Sequence, residues 1–172
     1  MSTEATLQTA QALLAPWTKG ARAPEPDRLD VLIDAADLTA AVQTLHDARW
    51  GYLAAITALD YLGKTASFAQ DARWQALMAS GRVPADGAPL EALYFFAAGR
   101  AIVTLRMLLP REGAAIASIC GILPSASFFE RELSEMFGIT VTETPDPNHL
   151  FLPENWPAGV HPLRKDFAPG RQ

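Results

Sequence analysis

The chain has 172 residues, of which 49% are hydrophobic, 19% charged and 9% aromatic, enough for one domain with an extension but not for two full cores. Fourteen Lys and Arg against nineteen Asp and Glu give a formal charge of −5, which disfavours a whole-chain nucleic-acid footprint because phosphate binding needs a clustered cationic surface. A single cysteine, Cys120, excludes an intramolecular disulfide framework, a zinc site built on two or more cysteines and a four-cysteine iron–sulfur site held by this chain alone, and fits a reducing compartment.

No segment reads as targeting or membrane-spanning. The start carries Glu4 and no basic residue before Lys19, unlike a secretory signal. The apolar stretch Leu93–Leu109 is interrupted by Gly99, Arg100 and Arg106, whereas a crossing helix needs about 18 or more apolar residues. The expectation is a soluble chain that reaches a membrane only through a larger complex.

Taken in order, Met1–Trp17 is predicted as an amphipathic helix with Ser2 or Thr3 as its cap, limited by Pro16. Pro24 and Pro26 make Lys19–Asp27 a linker, so residues 1–28 form an N-terminal helix and linker. Leu29–Ile33 reads as the first strand, and Asp34 as the N-cap of a helix over 35–48 that buries Leu38, Ala41, Val42 and Leu45. Tyr52–Leu59 is the second strand. Between Gly63 and Pro89 a short helix around Trp74, Leu77 and Met78 competes with a loop at Gly81, Pro84 and Gly87.

The runs Leu90–Ala98 and Ala101–Leu109 flank Gly99-Arg100 as a hairpin. Thr104 and Arg106 fall on one side of the second run, so that face of the sheet is expected to be partly wet. Gly113–Cys120 is predicted as a short helix. Ser127 with Glu130 reads as a capping box opening another helix, with Phe129, Leu133, Met136 and Phe137 as its stripe and Gly138 at its left-handed end. The fold class is therefore α+β: a mainly antiparallel four-stranded sheet with helices on one face, over residues 29–138.

Residues 139–172 differ. After a possible short strand at Ile139–Val141, five prolines between Thr144 and Pro162 forbid a helix and spoil a central strand. Yet Leu150, Phe151, Leu152, Trp156, Leu163 and Phe167 are too apolar for a free linker. An extended docking tail follows, lying on its own domain or on another subunit.

Candidate chemistry is sparse. Glu130 and Glu132 could form an acid–base pair, but i and i+2 residues on a helix point about 200° apart. His46, His149 and His161 lack the spacing of a helical metal pair. Cys120 sits in an apolar setting that suits an inert thiol. No glycine-rich phosphate loop, dinucleotide fingerprint or nucleophile elbow appears. In Pro162-Leu163-Arg164-Lys165-Asp166-Phe167, two apolar groups flank an arginine suited to bidentate pairing, which reads as an interface anchor.

Glu130-Arg131-Glu132, Met136-Phe137-Gly138-Ile139, Leu152-Pro153-Glu154-Asn155-Trp156 and Pro162–Phe167, in that order and spacing, resemble the signature of the C-type, 30 kDa subunit of respiratory complex I, the NADH–quinone oxidoreductase. Thr57-Ala58-Leu59-Asp60-Tyr61 resembles the same family upstream. Two departures stand out: Ser134 or Glu135 occupies a usual Asp position, and Glu143–Leu150 lacks the family's usual Gly-His-Pro-Asp and following arginines. Related subunits of membrane-bound [NiFe] hydrogenases and formate hydrogenlyases share the helix and tail motifs.

The resemblance implies a peripheral-arm subunit with no catalytic, cofactor or metal residue, docked on the large D-type subunit of the quinone site and on other peripheral-arm subunits. It would lie on the cytoplasmic side of a prokaryotic cell membrane. Flavin, iron–sulfur clusters, NADH and quinone would belong to the parent complex. The implied interface comprises Glu130, Arg131, Glu132, Phe137, Gly138, Leu152, Trp156, Pro162, Leu163, Arg164, Lys165, Asp166 and Phe167. From the residues alone, the competing reading is an independent small metal-dependent enzyme using Glu130, Glu132 and the tail histidines.

Overall fold

The computed structural model describes residues 2–63 and 88–168, so the competing helix and loop readings around Trp74 and Gly81 lie outside the described residues. Helix α1 (Thr3–Leu14) begins where Ser2 Oγ accepts the Ala5 N–H at 3.2 Å. The segment read as a linker then supplies an edge strand, β1 (Gly20–Arg22), antiparallel to β2 (Arg28–Leu32). Ladder pairing outweighs its proline-rich flank: the Lys19 N–H donates to the Leu32 carbonyl at 2.8 Å to start the pair.

Asp34 does not cap α2. A 3₁₀ turn over Ala35–Asp37 comes first, Asp34 makes no side-chain capping bond, and its carboxylate lies 3.5 Å from Lys19 Nζ. Helix α2 (Leu38–Asp47) buries Leu38, Ala41, Val42 and Leu45, the expected stripe. Strands β3 (Tyr52–Asp60), β4 (Leu90–Ala98) and β5 (Ala101–Leu109) follow. The sheet runs β1-β2-β5-β4-β3, antiparallel except for the parallel β2–β5 pair. The α+β class holds, with β1 as a fifth strand where four were expected.

The predicted helix at 113–120 is absent. Instead β6 (Ala115–Ala117) pairs in parallel with β7 (Thr140–Thr142), Ala115 facing Thr140. Alanine favours helix locally, but a ladder partner from a distant stretch of chain overrides that preference. Helix α3 (Ala126–Phe137) opens without the capping box, because Ser125 holds the N-cap position and makes no side-chain bond there. It ends as expected at Gly138, whose φ of 65° is left-handed and whose N–H donates to the Ser134 carbonyl at 2.9 Å.

Alternate residues Leu90, Ala92, Tyr94 and Phe96 of β4 and Val103, Leu105, Met107 and Leu109 of β5 are buried, in one cluster with Leu14, Leu45, Leu133 and Phe137. The other face, read as partly wet, does hold half-buried residues such as Phe95, Ile102 and Leu108, and a belt of charge crosses it. Arg22 on β1, Asp30 on β2, Arg106 on β5 and Glu91 on β4 place one ion on each of four neighbouring strands, alternating in sign. Arg22 Nε lies 2.9 Å from Asp30 Oδ2, and Arg106 Nη1 lies 2.7 Å from the same oxygen. Arg106 grips both Glu91 oxygens, at 2.8 and 2.7 Å, and the Tyr61 hydroxyl donates to Glu91 as well. Burial works to raise the Asp30 pKa, but Arg106 and Arg22 outweigh it and hold the carboxyl below its ordinary value.

Replacing Arg106 with Met would keep only the aliphatic stem of the side chain, leaving the buried Glu91 carboxylate without a cation and Asp30 with Arg22 alone. Urea unfolding should then show a loss of about 3–5 kcal/mol. A loss under about 1 kcal/mol, the scale of a solvated surface pair, would contradict this role.

Candidate functional site

The implied interface residues gather on α3 and on the tail that crosses it. Glu130 faces inward and is 1% exposed. Its Oε2 accepts from Ser118 Oγ at 2.7 Å and Cys120 Sγ at 3.1 Å, and its Oε1 from the Ile119 N–H at 2.7 Å. It therefore ties the loop after β6 to α3. Burial, ahead of the other influences, pushes the Cys120 thiol pKa up, consistent with an inert thiol. Glu132, two residues on, is half-exposed. The two carboxylates do not converge on a common point, which removes the geometric basis for an acid–base pair.

The next two turns of α3 hold the tail by its backbone. Arg131 Nη1 meets Asp146 at 3.0 Å, while Nε donates to the Asn148 carbonyl at 2.9 Å and Nη2 to that of His149. Glu135 receives the N–H groups of Leu150, Phe151 and Leu152, with Phe151 at 3.0 Å, and Nδ1–H of His149 at 2.8 Å. Three successive amides thus turn towards one carboxylate, a nest of the kind that binds anions. Burial works against ionisation of Glu135, but the amides of Phe151 and Leu150, His149 and the amide of Leu152 outweigh it and hold its pKa low.

At the end of α3, His161 Nδ1 lies 2.9 Å from the Glu135 carbonyl and donates to it. The His161 ring covers Gly138 so closely that a Cβ there would overlap it. Arg164 Nε donates to the Phe137 carbonyl at 2.6 Å, and Nη2 reaches the Gly138 and Arg111 carbonyls at 3.4 Å. The Phe137 and Gly138 groups are orphan carbonyls of a helix C-terminus, where a cation is favoured. The Leu163 N–H donates to Met136.

Past Arg164 the tail reaches the sheet. Asp60, at the end of β3, accepts the Lys165 N–H at 2.9 Å, the Leu62 N–H at 2.8 Å and Arg111 Nη1 at 2.6 Å. Arg111 Nη2 lies 2.9 Å from Asp166 Oδ2. Asp60 too has a lowered pKa, Arg111 and the two amides together exceeding the opposing effect of burial. Trp156 Nε1 donates to the Val160 carbonyl at 2.8 Å, and the Trp156 ring tilts against Phe167 with centroids 6.5 Å apart. Phe137 lies in the core, while Leu152 and Pro162 are half-buried.

Between α3 and the tail lies a cavity of about 360 Å³, lined by Arg131, Ser134, Thr140, His149, Trp156 and His161 among others. Among the described residues no three His, Cys, Asp or Glu side chains come together as a metal-binding set. Nor, among them, is any helix long and apolar enough to cross a membrane. The sequence reading placed Ser134 or Glu135 at a usual Asp position but missed the amide-binding role of Glu135, the role of Arg111 and the capping role of His161. Asp60 had a signal, since it sits in the Thr57–Tyr61 stretch. Arg111 had none.

A model of the family described as the respiratory-chain NADH dehydrogenase 30 Kd subunit matches residues 31–172. The chain is similar to hydrogenase-4 component G of Escherichia coli (strain K12), 34% identical over 64 residues, which are 37% of this chain and 12% of that one. It is also similar to the C/D subunit of the NADH-quinone oxidoreductase of Methylococcus capsulatus (strain ATCC 33009 / NCIMB 11132 / Bath), 41% identical over 64 residues, 37% of this chain and 11% of that one. The matched stretch is thus a small part of both relatives. A chain of the membrane-bound sulfane sulfur reductase, an archaeal respiratory membrane complex, shares the fold with a TM-score of 0.67 at 17% identity, over 96% of this chain and 86% of its own.

Two outcomes follow from the geometry. Gly138→Ala adds a Cβ at a left-handed φ and beneath His161, so it should cost about 1–3 kcal/mol in unfolding free energy and displace the tail. Hydrogen exchange should then speed up at the Leu163 and Lys165 amides, and unchanged protection there would contradict the fit. Acid should also loosen the tail. The folded pKa values of Asp60 and Glu135 lie below the ordinary 3.8 and 4.5. Their stabilisation is therefore complete above those values and is lost as the pH falls through the lowered ones. Amide exchange at Leu150–Leu152, corrected for intrinsic rate, should be flat from neutral pH to about 5 and rise below about 4.

Proposed function

We infer the function from the fact that this chain belongs to the family of the respiratory-chain NADH dehydrogenase 30 kDa subunit: it serves as a structural subunit in the peripheral arm of a proton-pumping NADH–quinone oxidoreductase. In this reading it docks on the large D-type subunit of the quinone site, stabilises it and contacts other peripheral-arm subunits. Flavin, iron–sulfur clusters, NADH and quinone belong to the rest of the complex, and the isolated chain is non-catalytic. Its place is the cytoplasmic side of a prokaryotic cell membrane, reached only through the complex.

The observation that carries a non-reacting role is how the signature charges are used. Glu130, Arg131 and Arg164 are bonded to this chain's own backbone and side chains, and Lys165 and Asp166 join the Asp60–Arg111 clasp. Groups committed in this way hold a shape and do not converge on a substrate. The D-type partner is supported by the similarity to a protein whose name carries both the C and the D designation. A second reading, the equivalent subunit of a membrane-bound energy-converting [NiFe] hydrogenase or formate hydrogenlyase, is favoured by the similarity to hydrogenase-4 component G.

Mass spectrometry of what co-purifies with a tagged copy from gently solubilised native membranes tests both readings. Recovery of flavin- and cluster-bearing NADH-oxidising subunits is the expected result. A nickel-containing large subunit in their place would move the chain to the second reading. Recovery of the chain alone, with metal or turnover in the pure protein, would overturn both.

A further inference from the structure

The end of β3 away from the tail carries a small recess beside the turn that joins α2 to β3. Its floor is apolar, with Leu53 and Phe96 buried and Leu123 half-buried, while His46, Arg49 and Tyr52 stand exposed at its mouth. The recess holds about 230 Å³, below the roughly 300–1,000 Å³ of sites for drug-sized ligands. It lies roughly 27 Å along the strand from Asp60, where the tail is tied. The backbone of the turn is unusual. Arg49 follows the C-cap residue Ala48 and has a φ of 51°, and Gly51 has a φ of 65°. Gly51 is explained by its neighbour, since a Cβ there would lie 2.1 Å from the Ala97 carbonyl oxygen. Arg49 instead holds a left-handed position where glycine or asparagine is the ordinary choice, so its side chain is kept at a conformational cost.

Nothing within the chain uses that side chain. Among the described residues, Arg49 and Arg100 are the basic groups without a side-chain hydrogen bond or ion pair. Arg100 is at the hairpin tip inside the Ala98–Ala101 pair, at the same end of the sheet as Tyr52, which pairs with Ala97. A cation at a helix C-terminus can simply offset the macrodipole. Here, though, the carbonyls of Thr44, Leu45 and His46 already accept from the N–H groups of Ala48, Trp50 and Arg49, at 3.1, 2.9 and 2.9 Å. The neighbouring acid, Asp47, is held by Gln43 Nε2 at 2.7 Å. A free guanidinium fork over an apolar recess matches an anion that offers two oxygens on an apolar body. A phosphate, with no apolar part, would leave the floor unmatched, and a long acyl chain exceeds the volume. We propose that the recess binds a small organic carboxylate, its ring or branched chain against Leu53, Phe96 and Leu123 and its oxygens on Arg49. His46 and the Tyr52 hydroxyl are further donors at the mouth. This goes beyond the structural role proposed above and does not depend on it.

The test titrates the full chain with 3-phenylpropionate, 3-phenylpropionamide and inorganic phosphate, followed through backbone N–H signals by NMR. The acid should bind with a millimolar or tighter dissociation constant and shift the signals of Arg49, Leu53, Phe96 and Leu123. The neutral amide and phosphate should each bind at least about tenfold more weakly. Arg49→Gly suits the left-handed position, so it should keep or raise the melting temperature while weakening the acid about tenfold or more. A short peptide ending in phenylalanine offers the same carboxylate and ring. Tighter binding than 3-phenylpropionate assigns the site to a chain end and weaker binding to a free acid, and either keeps the carboxylate. Equal binding of the acid and its amide overturns the carboxylate. Unchanged binding in Arg49→Gly overturns Arg49 as its anchor. No shift at those four signals with any probe overturns the site.

Discussion

The attachment of the tail depends on one carboxylate. Glu135 collects three consecutive backbone amides and a histidine ring from a segment whose prolines bar it from making regular secondary structure of its own. Ordering a residue's backbone costs about 1–2 kcal/mol, and a hydrogen bond to a charged group contributes about 1.5–3 kcal/mol. Such a segment stays ordered only where nearly every residue finds a bond of that kind. Residues 150–152 meet that condition on Glu135, Arg131 extends the same logic to the Asn148 and His149 carbonyls before them, and further along Arg164 reaches back from the tail to the carbonyls that end α3. Proline also helps here, since it lowers the entropy that the free chain would have had to lose.

The same arithmetic explains why the charged residues of α3 divide as they do. Arg131 and Glu135 lie one turn apart on the tail-facing side, whereas Glu130 turns into the core and secures the loop after β6. A helix with an acidic residue on its inner face and a basic–acidic pair on its outer face stands between two otherwise unrelated segments. Gly138 then lets the chain leave α3 closely enough for His161 to lie over it. Asp60 and Arg111 close the far end, so the tail is fixed at the start, middle and end of its course.

A second network braces the sheet that carries these points. Arg22, Asp30, Arg106 and Glu91 alternate in sign from strand to strand, and the Tyr61 hydroxyl adds to Glu91 next to Asp60 in the chain. The parallel β2–β5 pair brings Asp30 beside Arg106 although they are far apart in sequence. The residues at the edge of the sheet that receive the tail are thus continuous with a buried polar belt, which favours a single geometry because unpaired ions there would be costly.

Periodicity and turn chemistry were enough to read α1, α2, the β4–β5 hairpin, α3 and its glycine end, because each is set by neighbours within a few residues. The motifs Glu130–Glu132 and Pro162–Phe167 were likewise visible, and the family follows from them. The local signals misled where a distant partner decided the outcome. Ala115–Ala117 became a strand because β7 lay beside it, the linker gained β1 because β2 offered a free edge, and Glu130 left its capping position for the amide of Ile119. Arg111 and His161 carried no motif at all, and Glu135 showed only as a departure from a usual Asp position, since their roles arise from a tail that returns across α3. Residue type and spacing were sufficient to say which positions could bear charge, break a helix or bury a face. Which charge met which amide was settled by packing, because those pairs are far apart in the chain and no local pattern encodes what brings them together.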